Sequence, residues 1–271
     1  MLRKLVKHEF RATGRVMLPM YLILLVTAVG ANISGRGLIG SSYWILDTLA
    51  VLVVMAFGFA IAGACLLAFL LMIQRFYKNL LQDEGYLMMT LPVSIHQHIW
   101  AKLIVSTVWF ILTILAIIIS AMVVAYDVGF LSEFFNELLK LLHGFLKLNA
   151  GEAVNGVVVL IEGIALIFLA MAAFSLQFYA ALAVGHSFAN HKLLTSVGCF
   201  FAIQFVMQFA TGAFLMSADR FGFFRFMSRW SPTPIVAVHV GMLMLIAGTV
   251  IYGAIFYGIT TFFLKRRLNL E

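Results

Sequence analysis

The sequence predicts an all-α integral membrane protein with six transmembrane helices, and three observations lead there. Of 271 residues, 63% are hydrophobic and 11% charged, with a mean hydropathy of +1.06, more apolar surface than a soluble core can bury. Six apolar runs approach or exceed the length of about 20 residues that a hydrocarbon core of about 30 Å demands. None alternates as a barrel strand would, and open strands in lipid leave their edges without hydrogen-bond partners, so helices are the remaining solution.

The first element is "MLRKLVKHEFRATGR". Leu2, Leu5, Val6, Phe10 and Thr13 recur at helical spacing, with Arg3, Lys4, Lys7, His8 and Arg11 around the other side. That pattern predicts an amphipathic helix over 1–15 in the cytoplasmic interface, each cation contributing about 1 kcal/mol near anionic lipid. The alternative is a frayed basic tail. His8-Glu9 lacks the second His of a zinc-protease motif, so no metal is expected there.

The spans are expected at 16–33, 44–73, 99–126, 154–184, 193–217 and 235–264. The first is longer than the apolar core of a secretory signal and no small-residue cleavage site follows it, which predicts a retained N-terminus. The second, fourth and sixth run to about 30 residues, or about 45 Å at 1.5 Å per residue, so they must tilt or project beyond the lipid. Cys65 and Cys199 read as buried small hydrophobes outside any disulfide framework. Gly58 and Gly63 read as close-packing positions, and Asp47 as a group that reaches the interface.

Sidedness rests on the basic residues. Twelve fall on the face that carries both termini: Arg3, Lys4, Lys7, Arg11, Arg15, Arg75, Lys78, Lys102, Lys192, Lys265, Arg266 and Arg267. Six fall on the other: Arg36, Lys140, Lys147, Arg220, Arg225 and Arg229. The bias puts both termini and the loop at 76–93 in the cytoplasm. The formal charge of +7 is thereby assigned to anionic lipid and membrane insertion, and nucleic acid is not expected as a partner.

That loop lies in the most polar run, "RFYKNLLQDEGYLMMTLPVSIHQ" from Arg75 to Gln97. Asp83 and Glu84 suit a helix start, where free N–H groups favour negative charge, and Pro92 stops the helix at or before Leu91. Ser94 with Gln97 resembles a capping box for the next span. Tyr86, Leu87, Met88 and Met89 are too many apolar residues for a solvated link, and Met and Tyr suit an adaptable docking face. The alternative is a membrane-surface helix without a partner.

On the outer face, the 127–151 segment sets Glu133, Glu137, Lys140, His143 and Lys147 against Phe134, Leu138, Leu141 and Phe145, predicting an interfacial helix with pairs such as Glu137 and Lys140. A solvated face explains His143 and its acids better than a metal does. The stretch "ADRFGFFRFMSRWSPTP" mixes Arg220, Arg225 and Arg229 with aromatic residues, a headgroup anchor or, alternatively, a gate.

Within the spans Glu162 is the clear acid. A charge there costs on the order of 3 kcal/mol at mid-membrane, so Glu162 is expected to face other helices or a wet cavity, either in a transport path or subunit interface or as a locally paired structural group. Gln177, Gln204 and Gln208 are candidates for hydrogen bonds between helices, on the same path or interface.

With these pieces placed, "LRKLVKHEFRATGR", six spans with both ends inside, and "RFYKNLLQDEGYLMMTLPVS" after the second span, the chain resembles the permease subunits of ABC-2-type transporters, particularly those of Gram-positive bacteria. The resemblance implies a single permease domain over 1–271 in a bacterial cytoplasmic membrane. It makes segment 1–15 an interfacial elbow helix and 76–93 a loop bearing a coupling helix. Asp83, Glu84, Gly85, Tyr86, Leu87 and Met88 would then dock on a separate cytoplasmic ABC ATPase, and a second permease chain, identical or similar, would complete the assembly. ATP and magnesium would belong to that ATPase. This chain has no Walker loop of its own, and no cofactor or catalytic residue is expected on it.

An ion-coupled secondary transporter is a competing class, although it is expected to carry several intramembrane ionisable residues and internal repeats. A non-transporting scaffold or sensor of an ABC complex is another. An intramembrane enzyme finds no paired acids or Ser-His arrangement in the spans. The topology is directly testable. Cysteines placed near Phe130 or Gly222 should be labelled from outside the cell, and one at Gly85 should be shielded. Labelling of Gly85 from outside would invert the orientation.

Overall fold

The computed structural model describes residues 1–266 except 38, 41–42, 83–84, 86–89, 91, 127, 147–148, 189–191, 224, 226–228 and 230–232. Its long elements are all helices: α1 (Leu2–Gly37), α2 (Trp44–Leu80), α3 (Ile95–Ala125), α4 (Val128–Leu146), α5 (Ala150–Gly185), α6 (Lys192–Arg220) and α7 (Pro234–Arg266). All but α4 are long and apolar enough to cross a membrane. They run from 29 residues in α6 to 37 in α2, about 44 to 56 Å at 1.5 Å per residue, so each exceeds the hydrocarbon thickness of about 30 Å. The chain is a multi-pass integral membrane protein.

The helix boundaries follow local chemistry. Pro92 precedes α3, and the Gln97 N–H donates to Ser94 Oγ at 3.4 Å. At the start of α5 the Asn149 N–H donates to the Glu152 carboxylate at 3.2 Å, half of a capping box. Gly222 closes the turn after α6 with φ +66°, a conformation that favours glycine, and its N–H donates to the Asp219 carbonyl at 3.0 Å. Pro234 begins α7, where its missing N–H has no cost. Asp47, in the first turn of α2, accepts from the Gly40 N–H at 2.8 Å.

The basic segment 1–15 and the first span are one unbroken helix, α1, with Pro19 inside it. The residue pattern predicts two elements because it changes from amphipathic to apolar near position 16. That change records a change of surroundings and imposes no change on the backbone. Proline removes one ladder bond, which a membrane helix tolerates. Both cysteines are free, but Cys65 is exposed on α2 and not buried, since an apolar span faces lipid as readily as it faces protein. Gly63 lies where a Cβ would come within 3.1 Å of Met20 Cε, whereas Gly58 has open space around it.

The contacts gather into two compact units. The first comprises Met1–Gln74 and Ile104–Leu148, and the second Arg75–Leu103 and Asn149–Glu271.

In the first unit α1 and α3 pack side by side and parallel. Met17, Ala68, Val105 and Trp109 form a buried core against which Val6, Phe10 and Leu71 pack. Trp109 is the hub. Its ring stacks on Phe10 at 4.8 Å between centroids, and its Nε1–H donates to Thr13 Oγ1 at 2.7 Å. Tyr21 Oη and Thr113 Oγ1 share a hydrogen bond at 2.8 Å, one turn further along. Near the far end Asn32 Nδ2 donates at 2.8 Å to the carbonyls of both Val124 and Tyr126, supplying donors to the end of α3. The Arg36 guanidinium lies 5.4 Å from the Tyr126 ring centroid.

In the second unit α5 packs against both α6 and α7. Gly185 ends α5 where the chain returns into α6, and a Cβ there would overlap the Ser196 backbone and hydroxyl. Next to it His186 is buried, its Nδ1 at 3.3 Å from the Leu182 carbonyl and its ring edge-on to Tyr77. Burial lowers the His186 pKa, opposed by the backbone bond and assisted by the Lys192 charge. Gly185→Ala should force α5 and α6 apart and lower stability by about 1–3 kcal/mol, read as a reduced Tm of the purified protein in detergent. An unchanged Tm would mean that the turn relaxes freely.

Candidate functional site

The second unit holds a carboxylate paired with an imidazole across two spans. Glu162 is the thirteenth residue of α5, and His239 the sixth of α7. The His239 Nδ1–H donates to the Glu162 carboxylate, 3.0 Å from one oxygen and 3.2 Å from the other. Both side chains are largely covered, Glu162 at 12% exposure and His239 at 19%. The acid therefore faces a neighbouring helix, and a neighbouring imidazole satisfies it. Close by on α5, Gly163 gives a Cβ site 3.6 Å from Met242 Cε of α7, so the two helices run near each other at the pair.

Toward the other end of α5, Gln177 is buried and its Nε2 donates to Gln204 Oε1 of α6 at 2.7 Å. The structure thus brings Gln177 to Gln204 and leaves both apart from Glu162. Gln208 is exposed on α6 and makes no hydrogen bond among the described residues.

A third cluster lies at the two ends of the 76–93 loop. The last turn of α2 packs on α5: Phe76 stacks on Tyr179 at 4.1 Å with rings 7° from parallel, and Tyr77 meets His186 edge-on at 5.0 Å. The first turn of α3 packs on α7: His96 Nδ1 lies 2.6 Å from Tyr257 Oη and its Nε2 lies 3.0 Å from Lys265 Nζ. Since Lys265 can only donate, Nε2 accepts and Nδ1–H donates to Tyr257. Phe76, Leu80 and Ile99 are fully buried, and Leu81 and Gly85 are buried beside them. The stems of the 76–93 loop are therefore firmly tied to α5 and α7. Of the residues proposed to dock a partner, Gly85 is described. Asp83, Glu84, Tyr86, Leu87 and Met88 lie outside the described residues.

In the first unit α4 carries the expected Glu137–Lys140 pair at 2.7 Å, both side chains well exposed, which contributes little to stability. His143 Nδ1–H donates locally to the Leu139 carbonyl, 2.7 Å away. Among the described residues no three His, Cys, Asp or Glu side chains are grouped to hold a metal ion.

Sequence reasoning missed His239, His96, Tyr257 and Trp109. A histidine or tyrosine inside an apolar run was the available signal for His239 and Tyr257, whereas His96 lies in the polar run before the third span. Their partners are distant in sequence, 77 residues for His239 and 161 for His96, so pairing could not be read from spacing.

No protein family, no curated protein and no solved structure matches the chain.

The pair predicts its own test. Glu162→Gln and His239→Gln should each lower Tm in detergent without preventing membrane insertion, and the double variant should lose less than the sum. The shortfall should correspond to a coupling of about 0.5–2 kcal/mol. Strict additivity would show that the two side chains do not interact in the membrane.

Proposed function

We propose that the chain is the membrane-spanning permease of an ATP-driven exporter, energised by a separate cytoplasmic ATPase that docks on the 76–93 loop. The chain binds no nucleotide itself. ATP and magnesium act on the partner, and the loop carries the partner's motion into the spans. The observation that supports this most is the anchoring of the loop stems. Phe76 against Tyr179 and His96 against Tyr257 tie the two ends of the loop to α5 and α7, the helices that carry Glu162 and His239. A force on the loop would reach those helices through packed rings and short hydrogen bonds rather than through a slack tether. A second permease chain completes the assembly, and Gln208 supports that part. An exposed amide between Phe205 and Phe209, bonded to nothing among the described residues, is costly against lipid and gains hydrogen bonds from another polar chain.

A second reading is ion-coupled transport, favoured by the Glu162–His239 pair, since an intramembrane carboxylate with an imidazole partner is a natural proton-carrying group. The two readings differ in energy source. Under the first, transport into vesicles requires the ATPase and ATP; under the second, a pH gradient alone drives it.

The docking reading is tested by Tyr86→Ala combined with Leu87→Ala, purified with the ATPase candidate in lipid. Insertion should be normal, while loss of a buried anchor should weaken ATPase retention by about 2 kcal/mol, roughly thirtyfold, and abolish substrate-stimulated hydrolysis. Full retention and full coupling in this variant would leave the loop as a surface linker.

A further inference from the structure

We propose that the furrow between α1 and α3 in the first unit binds one anionic phospholipid, its phosphate on Lys7, Arg11 and Arg15 and an acyl chain along the apolar trough beyond them. The furrow has a volume of about 990 Å³. Its three charged lining residues are all cations, all at one end, and no acidic side chain lines it. The rest of the wall is apolar or aromatic, with Leu18, Tyr21 and Leu25 from α1 facing Leu112, Leu115 and Ile119 from α3. A cationic mouth on an apolar trough is the complement of an amphiphile with an anionic head.

The spacing fits a lipid. Lys7, Arg11 and Arg15 recur every four residues, which keeps them on one side of a helix of 3.6 residues per turn. All three are exposed and none has an ion-pair partner among the described residues. From Arg15 to Leu25 the trough extends along ten residues of α1, about 15 Å at 1.5 Å per residue. That is half of a hydrocarbon core of about 30 Å, the depth that one leaflet's acyl chain occupies. A soluble anion would use the mouth and leave the trough empty.

The floor is built before any ligand arrives. At Gly14 the α1 backbone runs beside the Trp109 ring, where a Cβ would make ordinary contact at 3.5 Å. Stacking of Phe10 on Trp109 and the Trp109 bond to Thr13 hold that approach. A neighbouring hollow that shares Ile119, lined by Val29, Asn32, Met122 and Tyr126 among others, has no charged lining residue and so nothing to hold a headgroup. The site is therefore confined to the end of α1 that carries the cations. It stands independently of the transport reading.

The test uses the full-length chain in detergent, with bound lipid counted by native mass spectrometry after titration with phosphatidylglycerol or phosphatidylcholine. One phosphatidylglycerol per chain should be retained in preference to phosphatidylcholine. Arg11→Gln combined with Arg15→Gln should weaken retention about thirtyfold, the combined attraction of two basic residues for an anionic headgroup. Arg3→Gln combined with Lys4→Gln removes the same charge from two residues of the same helix that do not line the furrow, and should change retention less than about threefold. Ala116→Trp, which fills the trough and leaves the cations intact, should also displace the lipid, and millimolar glycerol phosphate should not compete. Equal losses in the two charge variants would reduce the effect to diffuse surface attraction. Undiminished lipid retention in a folded Ala116→Trp protein would remove the acyl chain from the trough. A dimer that forms by excluding the lipid would assign the furrow to a second copy. Any of these three results overturns the proposal.

Discussion

Lipid offers no hydrogen-bond partner, and the rest of this structure depends on that constraint. Every backbone N–H and C=O in a span must be satisfied within its own helix, which is why the spans are long, continuous and without irregular backbone at their centres among the described residues. The same solvent removes the usual reason for helices to pack, because lipid tails are as apolar as leucine. Side-chain polarity takes on that task. In the first unit the contacts with direction are Trp109 to Thr13, Tyr21 to Thr113 and Asn32 to the end of α3. In the second they are Glu162 with His239, Gln177 with Gln204 and His96 with Tyr257. Each contributes on the order of 1 kcal/mol or less, so specificity of pairing comes from several of them at fixed heights along each helix.

Those heights divide the labour. The Glu162–His239 pair ties α5 to the start of α7, whereas His186, His96 and Lys265 lie at the ends of α5, α3 and α7, and Tyr257 further inside α7 reaches His96. A polar group at a helix end has interfacial water and freed carbonyls within reach, so it can be buried at smaller cost than one inside hydrocarbon. This accounts for the aromatic stacking and the histidines around the loop stems. It also makes those stems stiff, a property that a loop receiving force requires and that a passive connection does not.

The number of the long apolar helices was legible in the sequence because a run of about 20 apolar residues has few other readings. Three features were not. The continuity of α1 was hidden because Val16 marks a change of solvent and not of backbone. The role of Trp109 was hidden because an in-span tryptophan reads as a lipid anchor, and its Nε1–H partner Thr13 lies 96 residues away. Glu162 stood out as an acid among apolar neighbours, but the imidazole that accommodates it did not, because His239 carries no helical periodicity that points to α5. Local chemistry was readable and pairing across the chain was not.

Exposure carries a different meaning in such a protein. Phe201, Phe205 and Phe209 recur every four residues on α6 and are all more than 60% exposed, a face that in water would be an aggregation hazard and in lipid is an ordinary surface. An apolar patch therefore says nothing here about partners. The informative exposed groups are those that lipid tails cannot satisfy. Gln208 is one, an amide in a phenylalanine face, and the Lys7–Arg11–Arg15 row is the other, three cations at the head of an apolar trough. The first calls for hydrogen bonds to another polar group within the membrane. The second calls for a counter-charge at the membrane surface, joined to something that fills the trough. These demands differ in chemistry, because an amide is satisfied by a hydrogen-bonding group of any charge and a row of cations only by a counter-charge.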